Sequence, residues 1–235
     1  MPPPDAQPSS SFDEAWQRFQ ALDSLAIAGD TSEWGWSRGR AQYLTFLVRV
    51  EDTAALDHLS RVAERLAAIP GVEPFPEAYW HVTVKGAGFQ VIKRSLDDDI
   101  LRQDVPRIAG KARALFASEE AFDAQLGLAN AFAGVVFVEV LDGGRLRSLN
   151  DAACAGLPDV PAYPFDGAAF LPHVSVARFT SDEGLAQLWE TLASLRGEGP
   201  GPPLPVRRVE FVKAWLSEDA PELETLASYA LRSPR

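Results

Sequence analysis

The chain has 235 residues, 46% of them hydrophobic and 23% charged, which is enough ordinary globular sequence to bury a sizeable core. A net charge of −11 argues against a protein built to grip long duplex nucleic acid, because basic faces supply most of that affinity. A single cysteine, Cys154, excludes a disulfide framework and a cysteine-rich zinc site, and no apolar run reaches the roughly 18 residues of a membrane span. The start, Met1-Pro2-Pro3-Pro4-Asp5, lacks the basic and apolar regions of a secretory signal, so a cytoplasmic location is expected.

Residues 1–11 are rich in Pro and Ser and read as a disordered tail. Residues 12–42 read as an N-terminal extension. Within it, Ala15, Trp16, Phe19, Leu22 and Leu25 recur at near-helical spacing over 12–28, with Ser11 as N-cap. Trp34-Gly35-Trp36-Ser37-Arg38-Gly39-Arg40 then forms an aromatic, basic loop. Residues 43–235 read as one two-lobed domain. It begins with a strand over Tyr43–Val50 and an amphipathic helix over Asp52–Ile69, closed by Pro70-Gly71. A strand over Trp80–Lys85 and a helix over Pro106–Phe116 follow. Ala121–Leu128 and Gly134–Leu141 read as strands joined by a turn around Asn130.

The turn Asp142-Gly143-Gly144 leads to a helix over Arg145–Ala155, a strand over Pro172–Phe179 and a helix over Asp182–Leu195. After a Gly/Pro-rich connection, Gly197–Pro205, two closing strands are predicted over Val206–Leu216 and Leu223–Leu231. Strands and helices do not alternate strictly. The expected class is therefore α+β, with largely antiparallel sheets, rather than a doubly wound parallel sheet.

Two of the three histidines sit in one repeated pattern, His81-Val82-Thr83-Val84 and His173-Val174-Ser175-Val176. The period of two is that of a strand, so His81 and Thr83 share one face of theirs, and His173 and Ser175 one face of theirs. If the fold brings the two segments face to face, two imidazoles and two hydroxyls line one cavity. Imidazoles titrate near neutral pH and can supply one base and one acid, and hydroxyls can donate to phosphate oxygens. That set suits phosphoester chemistry.

The two copies resemble the motifs of the two-histidine phosphoesterase superfamily, which includes the 2′-5′ RNA ligase-like and cyclic phosphodiesterase proteins. The family pattern is His-x-Thr/Ser-x, twice, roughly a hundred residues apart; here the histidines are 92 residues apart. Pro172 before the second copy and Arg178 after it fit the pattern, whereas Gly86-Ala87 stands where the family usually has a larger apolar pair. The likeness spans Tyr43 to Leu231. It implies a two-lobed, pseudo-symmetric fold with two antiparallel sheets flanking a cleft and helices outside.

The resemblance also implies attack on a 2′,3′-cyclic phosphate of an RNA end or small nucleotide, or a 2′-5′ joining reaction. His81 and His173 are then the catalytic pair, with Thr83, Ser175, Lys85 and Arg178 at the phosphate. Lys85 falls on the His81 face if the strand is regular; Arg178 falls opposite His173 unless a bulge turns it inward. A cofactor and a metal are not expected, nor a membrane or a long duplex as partner, and a monomer is expected. A third possibility is a nucleotide- or phosphate-binding protein without turnover.

Tyr79, Trp80, Trp34 and Trp36 are candidates for stacking a base, against the alternative of core or lid packing. His58 reads as a surface helix residue, Asp97-Asp98-Asp99 as a solvated acidic loop, and Cys154 as helix packing.

Overall fold

Side chains that cap helices open the first two. In the computed structural model, which describes residues 11–26, 37–216 and 221–233, helix α1 spans Phe12–Gln20 and α2 spans Thr53–Ala67. Ser11 Oγ accepts from the Glu14 N–H at 3.1 Å, and the Asp52 carboxylate accepts from the Ala54 and Ala55 N–H groups at 3.0 and 3.1 Å. Helix α1 is shorter than the helix predicted over 12–28. Beyond Gln20 the chain is held by tertiary bonds instead: the Leu25 N–H donates to Asp182 Oδ1 at 2.6 Å and the Ala26 N–H to Ala133 O at 2.7 Å. Trp34 and Trp36 lie outside the described residues.

The remaining elements, in chain order, are β1 (Gln42–Arg49), β2 (Val72–Pro74), β3 (His81–Val91), β4 (Asp99–Leu101), α3 (Val105–Phe116), β5 (Phe122–Phe132) and β6 (Val135–Leu141). Then come α4 (Arg145–Gly156), β7 (His173–Phe179), α5 (Leu185–Gly197), β8 (Pro203–Val206), β9 (Arg208–Trp215) and β10 (Glu222–Ala230). The ten strands form one continuous, largely antiparallel sheet, and each of its two halves serves one lobe as a sheet. One has the order β10-β9-β1-β3, with β4 beside β3; the other has the order β7-β6-β5-β8, with β2 beside β7. A single residue pair, Val82 with Val174, joins them. Arg207 alone separates β8 in one sheet from β9 in the other, so the combined sheet curls into a half-barrel. Helices α3 and α4 lie against the first sheet, and α2 and α5 against the second. No described helix is long and apolar enough to cross a membrane.

This is the α+β, two-lobed arrangement expected from the sequence. Val82, Val84, Val174 and Val176 are all fully buried, which fixes the opposite side of each motif toward the cleft. Burying each such side chain stabilises the fold by roughly 1.5–3 kcal/mol, so slipping either strand by one residue is strongly disfavoured.

Two sequence expectations are corrected here. Asn130 lies inside β5, not in a turn; the hairpin turns at Ala133-Gly134. Its amide is buried and donates to Glu139 Oε1 at 2.8 Å and to Phe12 O at 3.0 Å, so its polarity serves the interior. Part of the Gly/Pro-rich connection forms β8, which pairs with the edge of β5, where prolines are tolerated.

Candidate functional site

The antiparallel pairing of Val82 with Val174 sets the geometry of the site. In that register His81 stands across from Ser175, and Thr83 across from His173. All four are half-buried, while the valines between them are fully buried. The four therefore share one face at the junction of the lobes. Diagonal neighbours in such a pair are roughly 7–8 Å apart, leaving space between the imidazoles. No second residue pair joins β3 to β7.

Each motif strand carries a bulge at the same motif position. Lys85 pairs with Phe46 and Thr83 with Leu47, leaving Val84 as the extra residue. Likewise Ala177 pairs with Val136 and Ser175 with Phe137, leaving Val176. A bulge reverses the alternation beyond it. Lys85 is thus turned off the histidine face, contrary to the expectation of a phosphate contact. It is 1% exposed, and its ammonium donates to Asp166 Oδ2 at 2.8 Å, Pro161 O at 2.6 Å and Gly86 O at 2.9 Å. The same device turns Arg178 toward the cleft side. There its guanidinium is held by the Glu73 carboxylate, with Nε–Oε2 at 2.9 Å.

Backbone carbonyls orient both imidazoles. Nδ1 of His81 lies 2.5 Å from Tyr79 O, and Nδ1 of His173 lies 2.7 Å from Leu171 O. A carbonyl only accepts, so each Nδ1 carries the proton and each neutral ring keeps its lone pair on Nε2. Burial pushes both imidazoles down to about 4, against the opposing pull of the carbonyls. For His81, the neighbouring His173 and Arg49 add to the depression. Both rings are therefore neutral at pH 7 in the unliganded protein.

A stability prediction follows from these shifts. Between pH 6.5 and pH 4 the unfolded chain takes up protons that the folded histidines refuse. Stability is fully present above that window and is lost as pH falls through it, by on the order of 2–3 kcal/mol per histidine. Melting curves from pH 7 to 4.5 should fall more steeply for the wild type than for an H81Q/H173Q double variant. Parallel slopes would rule out neutral, buried imidazoles.

The residues facing the histidines across the neighbouring strands escaped sequence reasoning. Arg49 on β1 pairs with His81, and Glu139 on β6 pairs with His173. Arg49 donates to Glu210 Oε2 at 2.9 Å, Leu223 O at 3.1 Å and Ala78 O at 3.3 Å, which ties the turn before His81 to β9 and β10. Glu139 accepts from Asn130 and, at 3.0 Å, from Arg196 Nη1. No short spacing links these pairs in sequence; only sheet register brings them together.

Other candidates find structural places. Tyr79 and Trp80 are buried; the Tyr79 ring packs edge-on against His81 at 5.0 Å, so neither offers a free stacking face. Asp98 and Asp99 bind Arg40, with Asp99 buried, so the acidic run is not simply solvated. His58 is half-buried against Gly201 rather than free on the surface. Cys154 is half-buried beside Asn150, and burial raises its thiol pKa.

Gly86, where the family pattern has a larger residue, is filled from elsewhere. A Cβ there would lie 2.2 Å from the Tyr43 hydroxyl and 3.1 Å from the Tyr163 ring. Gly86→Ala should destabilise the fold by roughly 1–3 kcal/mol through overpacking. A denaturant midpoint equal to the wild type's would contradict this.

A family model described as the 2′-5′ RNA ligase superfamily matches residues 55–214. No curated protein sequence matches. Among solved structures, TT0787 of Thermus thermophilus is 18% identical with a TM-score of 0.60, over 82% of this chain and 100% of that one. ATU0111, a conserved protein of unknown function from Agrobacterium tumefaciens, is 15% identical with a TM-score of 0.59, over 80% and 85%. Escherichia coli LigT complexed with 3′-AMP is 13% identical with a TM-score of 0.55, over 82% and 99%. At these identities the likeness to solved structures concerns the fold.

Proposed function

This chain belongs to the 2′-5′ RNA ligase superfamily, and from that premise we propose that it is a phosphoesterase opening 2′,3′-cyclic phosphates of RNA ends or small nucleotides. The observation that carries the reading is the single face shared by His81, Thr83, His173 and Ser175. LigT has been solved with 3′-AMP, NADP+, ATP and phosphate, which supports a small nucleotide as ligand.

In the proposed reaction, Nε2 of one histidine takes a proton from water as its oxygen attacks phosphorus. The bond from phosphorus to one ribose oxygen breaks, and that oxygen takes a proton from the other histidine. Thr83 and Ser175 donate hydrogen bonds to the non-bridging oxygens, where charge develops. The fixed Nδ1 protons leave both Nε2 atoms for the reaction. A bound phosphodiester anion favours an imidazolium beside it, so the substrate itself charges the acid that is neutral in the empty site. The same ring opening, with a ribose 5′-hydroxyl attacking phosphorus in place of water and the 3′ oxygen leaving with a proton from the other histidine, would form a 2′-5′ link using the same groups. Side chains handle both the protons and the charge in this scheme.

The test is turnover of nucleoside 2′,3′-cyclic phosphates by the purified protein with a chelator present. Ring opening to a monoester is expected. Ligand bound but recovered unchanged would overturn the enzymatic reading and leave a nucleotide-binding protein. Joining of cleaved tRNA halves without hydrolysis of the small substrates would favour the ligase reading.

A further inference from the structure

The two lobes are matched in register but not in what surrounds their histidines. Across from Thr83 stands Leu47; across from Ser175, at the equivalent place, stands Phe137. Phe137 lies 5.0 Å from the His173 ring and is stacked on Phe132 at 4.3 Å, and Phe132 meets His173 edge-on at 5.4 Å. Phe137 is on the cleft face, yet it is fully buried. Phe132 covers it, and so does Phe12 of α1, whose ring lies 6.3 Å away. Phe132 itself is only half-buried.

Helix α1 is anchored in this position by several contacts. The Asn130 amide donates to Phe12 O, Phe19 is buried, and the Arg196 guanidinium sits 4.6 Å over the Trp16 ring. Arg196 in turn binds Glu139, the residue across from His173. The helix precedes residues 55–214, the span matched by the family model.

We propose that Phe132 is the platform on which the substrate's nucleobase stacks, and that α1 braces that platform from behind through Phe12 and Phe137. The inference rests on the phosphoesterase reading and deepens it. A base is flat and needs a rigid ring with an accessible face near the phosphate. Phe132 touches His173, is backed by a buried ring, and has partial exposure. The ligand class is a nucleotide rather than a phosphorylated metabolite without a base. The extension then fixes base binding and stands outside the chemistry itself.

The experiment compares Phe132→Leu with wild type on adenosine 2′,3′-cyclic phosphate and on a methyl riboside 2′,3′-cyclic phosphate, which lacks the base. Loss of one stacking partner should raise KM for the adenosine compound roughly tenfold more than for the base-less one, whereas any change in kcat from the lost contact with His173 should be common to both substrates. Phe12→Ala should act in the same direction by a smaller factor. Equal effects on both substrates, or none on the adenosine compound, would overturn the proposal. If wild type turns over neither compound, the phosphoesterase reading fails by itself. Calorimetric titration with 3′-AMP and with inorganic phosphate then still decides the platform. Weaker 3′-AMP binding by Phe132→Leu with phosphate binding unaltered supports it; equal binding of 3′-AMP, or none by wild type, refutes it.

Discussion

Replacing either His81 or His173 by alanine is expected to lower kcat on a nucleoside 2′,3′-cyclic phosphate by roughly 10²–10⁴-fold, the usual contribution of a positioned acid or base. The two variants should be similarly impaired, because hydrolysis needs both proton transfers. The double variant should be far less impaired than the product of the single losses, since groups acting as a unit do not add. Stability is a poor alternative explanation for such a loss. Both rings are half-buried, and the hydrogen bonds that alanine forfeits, from each Nδ1–H to the Tyr79 or Leu171 carbonyl, are worth only about 0.5–1.5 kcal/mol each. Single-turnover rates with saturating substrate, alongside melting temperatures, make the measurement. Near-wild-type kcat in either variant would remove the histidine pair from the mechanism.

The part of the site legible in the sequence was local. Alternation over four residues put imidazole and hydroxyl on one face and buried valines on the other, and burial alone enforces that. What alternation did not carry was the residue beyond the bulge. Whether Lys85 points to the cleft depends on Val84 having no partner on β1, a property of the pairing of two strands and not of either sequence. The same holds for Arg178 and Val176. Arg49 and Glu139 were invisible for a related reason: their places beside the histidines come from register between distant segments. Asn130 misled because asparagine is common in turns; here a buried carboxylate and the Phe12 carbonyl satisfy its amide. The extension was legible as a helix with a serine cap, but nothing in its spacing showed that it would back Phe137 beside the cleft.

Lys85→Met is expected to act on stability and not on substrate binding, the reverse of what a phosphate-contacting lysine would do. The lysine ammonium is enclosed: the Asp166 carboxylate and two backbone carbonyls are its partners, and its side chain is 1% exposed. Asp166 also accepts from Asn150 Nδ2 at 3.0 Å and from the Tyr163 N–H at 2.7 Å, and Asn150 Nδ2 donates to Val84 O at 2.8 Å. The network therefore ties the loop around Tyr163 and helix α4 to the bulged residue beside Thr83. Methionine fills the volume of the lysine stem but leaves a buried carboxylate with its cation removed. Breaking a buried pair from one side in this way costs about 3–5 kcal/mol. In a chain of this length that amounts to roughly 10 °C in melting temperature. Adding Asp166→Asn should restore only part of the loss: it removes the uncompensated charge, but its amide nitrogen cannot accept the hydrogen bond that one carboxylate oxygen takes from Asn150 or Tyr163. KM for a cyclic phosphate, measured where the single variant is still folded, should change far less than it would on losing a phosphate contact. A variant that melts like wild type but binds substrate tenfold more weakly would return Lys85 to the phosphate.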